Sequence, residues 1–276
     1  MSDGLGGCDQ NRAVTDTQPG WYPDPYLPDA LRWHDGSSWT MHSARRTTPP
    51  PPPQHPVTPG WFTLTRVVQA LLGVAVVVDV WSIADSLHSR SVFERWRRDP
   101  MSATPAEAQD VDRMAMIVSV TSLVVFVVCG VLFITWLFKV HRSSDLDRAR
   151  MEHDSAWAIA GWFVPILSLW RPLGMVQDVL RGATGQVYAS MLAVGWWLVF
   201  LASLVFSRFV TLVVPAEDSD VDGYLDTLIT RMNLDAVGAA VEIVAAVLAA
   251  LTVQQVASAV RRRLAAAAPV PQVTGG

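Results

Sequence analysis

The chain has 276 residues, of which 51% are hydrophobic and only 17% are charged, and its net charge is −4. This composition, with a mean hydropathy of +0.28, is too apolar for an ordinary soluble domain and predicts an integral membrane protein. The basic residues are dispersed and do not form the concentrated positive surface that a phosphate backbone requires. We therefore expect the lipid bilayer, and no nucleic acid, as a partner.

The amino-terminal part predicts a disordered tail followed by a very small β module. Residues 1–18 are rich in Gly, Asp and Ser, and they lack the basic start and apolar core of a signal peptide. Residues 19–42 are rich in tryptophan, and Asp35-Gly36 between aromatic-rich arms is a β-hairpin signal. A sheet of about 25 residues has room for only a minimal core. We assign that core to Trp21, Trp33 and Trp39.

A proline-rich linker is predicted at residues 43–60. It contains Pro49 to Pro53, followed by Pro56 and Pro59. Such a run favours the extended polyproline helix, which acts as a semi-rigid spacer. The linker would hold the small module away from the membrane.

Four apolar segments dominate the rest of the chain. They lie near residues 67–87, 114–138, 189–214 and 236–260. Each is about as long as the roughly 20 helical residues that cross a bilayer core. We expect an all-α membrane domain with four transmembrane helices over residues 61–263, followed by a disordered tail at residues 264–276.

Arginine and lysine positions predict the orientation, because these residues concentrate in cytoplasmic loops. With the amino terminus inside, the cytoplasmic side receives Arg45, Arg46, Arg66, Lys139, Arg142, Arg148, Arg150 and Arg261 to Arg263. The first outer loop disagrees, since it carries Arg90, Arg95, Arg97, Arg98 and Arg113 among five acidic residues. We predict a multi-pass protein of the cell membrane with both termini in the cytoplasm.

A fifth apolar run, residues 156–170, is too short to span the membrane. It would form about 22 Å of helix against a core of about 30 Å, and Pro165 interrupts it. Its side chains typical of membrane-interface anchors are Trp157, Trp162, Trp170 and Arg171. We therefore predict a broken interfacial helix over residues 156–181 that lies on, or dips into, the cytoplasmic leaflet.

Local signals predict several helix ends. Thr104-Pro105-Ala106-Glu107 reads as a capping box, so the second long helix should begin in solvent before the membrane. Residues 139–150 contain no helix breaker, which predicts that this helix continues past the membrane. The apolar spacing of Leu225, Leu228, Ile229 and Met232 predicts a short amphipathic helix on the outer surface.

Three ionisable side chains lie where lipid should not tolerate them, and they are Asp79, Arg208 and Glu242. From their distances to the helix ends, all three fall roughly 10 Å below the outer boundary. One interpretation is a bridge from Arg208 to one or both carboxylates that fixes helix packing. Two alternatives are an Arg208 that extends to the interface and a carboxylate that takes up protons or cations from outside.

The sequence predicts neither a catalytic nor a cofactor-binding site, and no metal site. Asp218, Asp220, Asp222 and Asp226 alternate around Gly223 as in a calcium loop, but Ile229 stands where a bidentate Glu would close it, so a solvated acidic turn is favoured. The histidines are not at ligand spacing, although His153, beside Glu152 and Asp154, is the least ordinary of them. No nucleotide-binding or zinc-protease motif occurs, so we expect a protein that is not an enzyme.

Two stretches carry family resemblances. Pro19-Gly20-Trp21-Tyr22-Pro23-Asp24-Pro25 and Leu31 to Thr40 resemble the short bacterial module known as domain of unknown function 2510, usually seen at the ends of membrane proteins. The stretch from His153 to Pro172, preceded by Trp136-Leu137-Phe138-Lys139-Val140-His141-Arg142, resembles the membrane family known as domain of unknown function 4328. The resemblances imply architecture and location in a bacterial membrane, and neither implies an activity.

Two classes of function remain open. The first is a non-enzymatic membrane adaptor whose cytoplasmic module binds a protein partner. The second is an ion or small-solute pathway that uses the intramembrane charges, with the four spans assembled in a homo-oligomer. The pairing of a small soluble module with few spans favours the adaptor.

Overall fold

The computed structural model describes residues 18–27, 30–45, 54–213 and 221–267, and the chain divides into two units between Pro53 and Gln54. The predicted polyproline run from Pro49 to Pro53 lies outside the described residues. So does most of both predicted tails.

The first unit is a three-stranded antiparallel sheet. Its strands are β1 (Gly20–Pro23), β2 (Ala30–His34) and β3 (Trp39–Arg45), in the order β1-β2-β3. The predicted hairpin signal is confirmed, since Gly36 takes a positive φ of 97° in the turn between β2 and β3. The Asp35 carboxylate accepts hydrogen bonds from the backbone N–H groups of Ser37 and Ser38, which hold the pKa of Asp35 well below its usual range.

All of the regular secondary structure described for the second unit is helical. Its helices are α1 (Pro59–Arg98), α2 (Pro105–His141), α3 (Trp157–Phe163), α4 (Arg171–Thr184), α5 (Met191–Val213) and α6 (Val221–Ala267). Of these, α1, α2, α5 and α6 are long and apolar enough to cross a membrane. The chain is thus a multi-pass membrane protein with four candidate transmembrane helices and a small tryptophan-rich sheet, as the sequence predicted.

The bundle has two ends, which we name by their residues. The proximal end contains residues 54–61, 139–155, 171–190 and 255–267, and the distal end contains residues 88–113 and 221–235. Helices α1 and α6 pack against each other along their length. A 40-residue helix such as α1 is about 60 Å long, roughly twice the thickness of a bilayer core. Both helices therefore project beyond the membrane.

The distal end has its own small apolar core, formed by Val92, Phe93, Val111 and Leu225. Leu228, Ile229 and Met232 pack against this core, as their spacing predicted. The expectation of a separate short helix was wrong, because these residues form the first turns of the continuous helix α6. Packing against the extension of α1 covers their apolar face.

Helix α2 begins where the sequence predicted and ends earlier. Thr104 is its N-cap and accepts a hydrogen bond from the Glu107 backbone N–H at 3.3 Å. The expected continuation to residue 150 was wrong, since α2 ends at His141. There the chain turns, and the Asp145 carboxylate accepts the Val57 N–H at 2.6 Å. This hydrogen bond links the segment that precedes α1 to the turn that follows α2.

Buried indole rings join α1 to α2 near the proximal end. The Trp61 and Trp136 rings stack at 5.7 Å between centroids. Trp61 Nε1 donates to the Trp136 carbonyl at 3.1 Å, and Trp136 Nε1 donates to Thr65 Oγ1 at 2.9 Å. Trp136 has no exposed surface. Both indole N–H groups are therefore hydrogen-bonded, and this aromatic contact holds α1 against α2.

Replacing Trp136 with Ala should lower the free energy of unfolding by about 3–5 kcal/mol, because a large cavity opens and the Thr65 hydroxyl loses its donor. Thermal unfolding in detergent measures this loss. The matched control is Trp81→Ala on the outer face of α1, where the side chain is 38% exposed, and it should change stability by less than about 1 kcal/mol. Equal losses in the two variants would contradict the assigned role of Trp136.

Candidate functional site

The predicted broken helix is broken at the expected place. Helix α3 ends at Phe163, Pro165 lies in the following turn, and a short 3-10 turn at Leu167–Leu169 leads into α4. Phe163 and Ile166 are 73% and 69% exposed at this tip. Trp197 Nε1 donates to the Leu169 carbonyl at 2.7 Å, which fixes the tip to α5.

The four predicted interface anchors take different positions. Trp170 is half exposed. The Arg171 guanidinium lies 4.9 Å from the centre of the half-buried Trp157 ring. Trp162 instead faces the bundle, with its ring edge to face against Phe133 and Trp197. It belongs to the core and is not exposed as an anchor.

Helix α4 is buried on most of its surface, which its predicted position at the leaflet did not suggest. Met175, Val176 and Val179 have no exposed surface. The polar residue Gln177 is also buried, and it exchanges hydrogen bonds with the backbone of Ser190 ahead of α5. The Ser190 hydroxyl in turn donates to Gln255 of α6 at 2.8 Å. Helix α4 is therefore an internal element of the proximal end.

Asp178 of α4 is fully buried and lies at the centre of a polar cluster. Its Oδ2 accepts the His153 backbone N–H at 3.0 Å and lies 2.7 Å from His153 Nδ1. His141 Nε2, at the end of α2, lies 3.6 Å from the same oxygen. The cluster thus joins α2, α4 and the connection between α2 and α3.

The charge of Asp178 is stabilised despite its burial. Burial raises the pKa of Asp178, but the nearby His141 ring at 3.6 Å and the hydrogen bonds from His153 outweigh this effect, and the net pKa lies below its usual value. The Arg181 guanidinium lies 3.6 Å from Asp178 Oδ1 and also bonds the Glu152 carboxylate. The site therefore holds an ionised carboxylate at neutral pH.

Several polar atoms of this cluster are buried without a hydrogen-bond partner. They include both ring nitrogens of His141, Asp178 Oδ1 and Arg181 Nε. Ligand atoms of Glu152, His153 and Asp178 all lie within 4.8 Å of one another. Nitrogen and oxygen donors at such separations can bind a divalent cation or exchange protons.

Sequence reasoning singled out His153 with Glu152 but missed Asp178 and His141, which lie 25 and 12 residues away from His153 along the chain. One signal was present. Asp178 is an ionisable residue inside the apolar run from Met175 to Leu180, and such a residue beside a membrane needs a partner.

The three predicted intramembrane charges are not assembled into one site. Asp79 is buried on α1 and is close enough to Glu242 of α6 to interact electrostatically. Arg208 is exposed on α5, and none of the ion pairs found in the described part of the chain includes it. The predicted bridge from Arg208 to the carboxylates is therefore absent from this part of the chain, where the Arg208 side chain is exposed. Its outward position fits the alternative of an arginine that extends to the interface.

The acidic segment does not form a calcium loop in its described part. Asp222 and Gly223 lie in the first turn of α6, where Gly223 is helical and makes no sharp turn. Asp226 pairs with Arg97 of α1. Asp218 and Asp220 lie outside the described residues.

The three tryptophans of the small module lie on two faces of the sheet. Trp21 and Trp33 are cross-strand partners with ring centroids 5.6 Å apart. Trp39 packs against His34 at 5.0 Å. In the described part of the module the buried residues are Asp24, Ala30 and His34, whereas Trp21 is 48% exposed. The module therefore keeps much of its aromatic surface accessible.

Replacing Asp178 with Ala should destabilise the membrane domain by about 3 kcal/mol, because it removes the carboxylate shared by two histidines and an arginine. Denaturation in detergent measures the loss. Asp110→Ala is the control, since Asp110 forms an exposed pair with Arg113 that contributes at most about 1 kcal/mol. A loss at Asp178 no larger than that at Asp110 would mean that the cluster does not hold the proximal end together.

Comparisons with known proteins give family matches of unknown function. The model of a family described as a protein of unknown function (DUF2510) matches residues 19–56, and that of a domain of unknown function (DUF4328) matches residues 99–258, more than half of the chain. No curated protein and no solved structure matches. The second match contains the whole Asp178 cluster and extends from the start of α2 far into α6. The chain therefore belongs to the DUF4328 family.

Proposed function

We propose that the protein is a non-enzymatic membrane adaptor, whose tryptophan-rich module lies in the cytoplasm and binds a protein partner. The membrane domain fixes this module at the bilayer. The observation that carries the proposal is the exposed aromatic surface of the module. Among the described residues of the module, the exposed large apolar side chains include Met41 at 92%, Tyr26 at 77%, Leu27 at 52% and Trp21 at 48%.

The rings on the Trp39 face of the module are suited to recognition. Tyr22 and His34 each meet Trp39 edge to face. The Arg32 guanidinium lies 5.6 Å from the Tyr26 ring centre and is held by Asp24 at 2.9 Å. Tyrosine, tryptophan, methionine and arginine are the side chains enriched at protein interfaces. A sheet this small cannot bury them, so a partner is the natural cover.

An extended proline-rich segment is the partner chemistry that fits best. Such segments are preformed polyproline helices that dock between aromatic rings with little loss of entropy. The run from Pro49 to Pro53 offers this chemistry within the same chain or to a second copy.

The distribution of charge supports a cytoplasmic proximal end. That end carries Lys139, Arg142, Arg148, Arg150 and Arg261 to Arg263. The distal arginines that disagreed with this orientation are mostly compensated, in the pairs Arg90–Glu94, Arg95–Glu107, Arg97–Asp226 and Arg113–Asp110. These ion pairs reduce the free positive charge of the distal end.

A pathway for ions or small solutes through a homo-oligomer is the second candidate. The observation in its favour is the proximity of Asp79 and Glu242 in the membrane, on the closely packed helices α1 and α6. Two carboxylates in such a setting commonly mark an ion or proton route. The adaptor is preferred because the exposed apolar side chains of the module, such as Met41 and Tyr26, favour a bound partner.

A photoreactive amino acid at position 41, in place of Met41, should crosslink to a discrete protein in intact cells. The yield of the crosslinked product should fall at least fivefold when Trp39 is replaced by Ala. A synthetic peptide of residues 46–60, added to isolated membranes, should compete with the crosslink. The same probe at Ser37, an exposed residue of the hairpin turn, is the control. Equal crosslinking from Ser37 and Met41, or a yield independent of Trp39, would refute the assigned surface.

Cysteine labelling tests the orientation. In a background with Cys8→Ser and Cys129→Ala, Gln186→Cys at the proximal end should resist an impermeant thiol reagent added outside the cell. Met101→Cys at the distal end, where the side chain is 92% exposed, should react. Gln186 is preferred to Gly185, whose positive φ of 74° disfavours a cysteine. Reaction of Gln186→Cys from outside, with protection of Met101→Cys, would invert the topology.

A further inference from the structure

We propose that the proximal end binds one first-row divalent metal ion through His141, His153 and Asp178, with Glu152 beside them. The ion would be structural, joining α2, α4 and the connection between α2 and α3. This inference concerns the membrane domain and does not depend on what the small module binds.

The spacing of the donor atoms fits a small cation. Tetrahedral ligand atoms about 2.1 Å from an ion lie roughly 3.4 Å from one another. His141 Nε2 lies 3.6 Å from Asp178 Oδ2, which is close to that separation. His153 Nδ1 lies 2.7 Å from the same oxygen, in a hydrogen bond. An ion would replace that bond, and the ring proton would move to Nε2 of His153.

The buried imidazole of His141 supports the metal site independently of the spacing of the donor atoms. Its side chain has no exposed surface, and neither of its ring nitrogens has a hydrogen-bond partner. A neutral imidazole has one donor and one acceptor, and leaving both unpaired in a protein interior is costly. A cation between His141 Nε2 and Asp178 Oδ2 would satisfy the acceptor of the ring.

The ligand types indicate the class of metal. Two imidazoles and a buried carboxylate suit Zn²⁺ and its first-row neighbours, whereas Ca²⁺ and Mg²⁺ prefer oxygen alone. Glu152 is the weakest of the four candidates, because its side chain is 65% exposed and is already bonded to Arg181. Arg181 would remain in place as a partner that orients both carboxylates.

The scaffold already holds the donors in position. The His153 ring lies against Gly174 of α4, where an added Cβ would be 3.4 Å from the ring Cε1 atom. His141 and Asp178 belong to helices whose surrounding side chains are buried. Donors that the fold already places around Asp178 reduce the cost of binding an ion.

The test is a calorimetric titration of the full-length protein, purified in detergent and stripped with a chelator, with Zn²⁺. We expect one equivalent per chain, and a loss of affinity of at least tenfold in His141→Asn, His153→Gln and Asp178→Asn. The control combines His42→Gln with His88→Gln, two exposed histidines that should leave binding unchanged. The absence of heat with Zn²⁺, or equal affinity in the wild type and Asp178→Asn, would overturn the proposal.

A spectroscopic readout keeps the proposal testable if a ligand variant does not fold. His153→Cys supplies a thiolate in place of an imidazole. With Co²⁺ as the probe, this variant should retain one bound ion and gain a thiolate-to-metal charge-transfer band that the wild type lacks. A Co²⁺ spectrum identical to that of the wild type would place the ion elsewhere and refute the site.

Discussion

Lipid tails are as apolar as leucine, so the helices of this bundle gain nothing from merely hiding apolar surface from the bilayer. Their association depends instead on close packing and on hydrogen bonds that lipid cannot provide. Several buried contacts of this kind lie at or near the proximal end. The Trp61–Trp136 stack joins α1 to α2, and Gln177, Ser190 and Gln255 join α4, α5 and α6.

Helix α4 takes part in several of the contacts at the proximal end. It is 14 residues long and too short to cross a bilayer, yet it packs against α2, α5 and α6. Its Asp178 holds both the end of α2 and the loop that follows it. This short buried helix fills the space between the long helices at the proximal end.

Much of the architecture could be predicted from local patterns. Length and hydropathy predicted the spans, Thr104 predicted the start of α2, and Pro165 predicted the break between α3 and α4. The failures involve contacts between distant segments. The end of α2 at His141 depends on residues near Val57 and Asp145, and the continuity of α6 depends on Val92 and Phe93. The apolar neighbours of Asp178 indicate that its carboxylate needs a partner. That His141 lies beside it could not be predicted, because the contact depends on how three elements pack together.

The absence of any break in α1 and α6 has a mechanical consequence. Trp61 and Phe93 belong to one helix, about 48 Å apart along its axis, and Leu225 and Val260 belong to the other. Because both helices are continuous, the contacts at the distal end and those at the proximal end belong to the same two helices. A change in the distance between these helices at one end is therefore expected to alter their packing at the other.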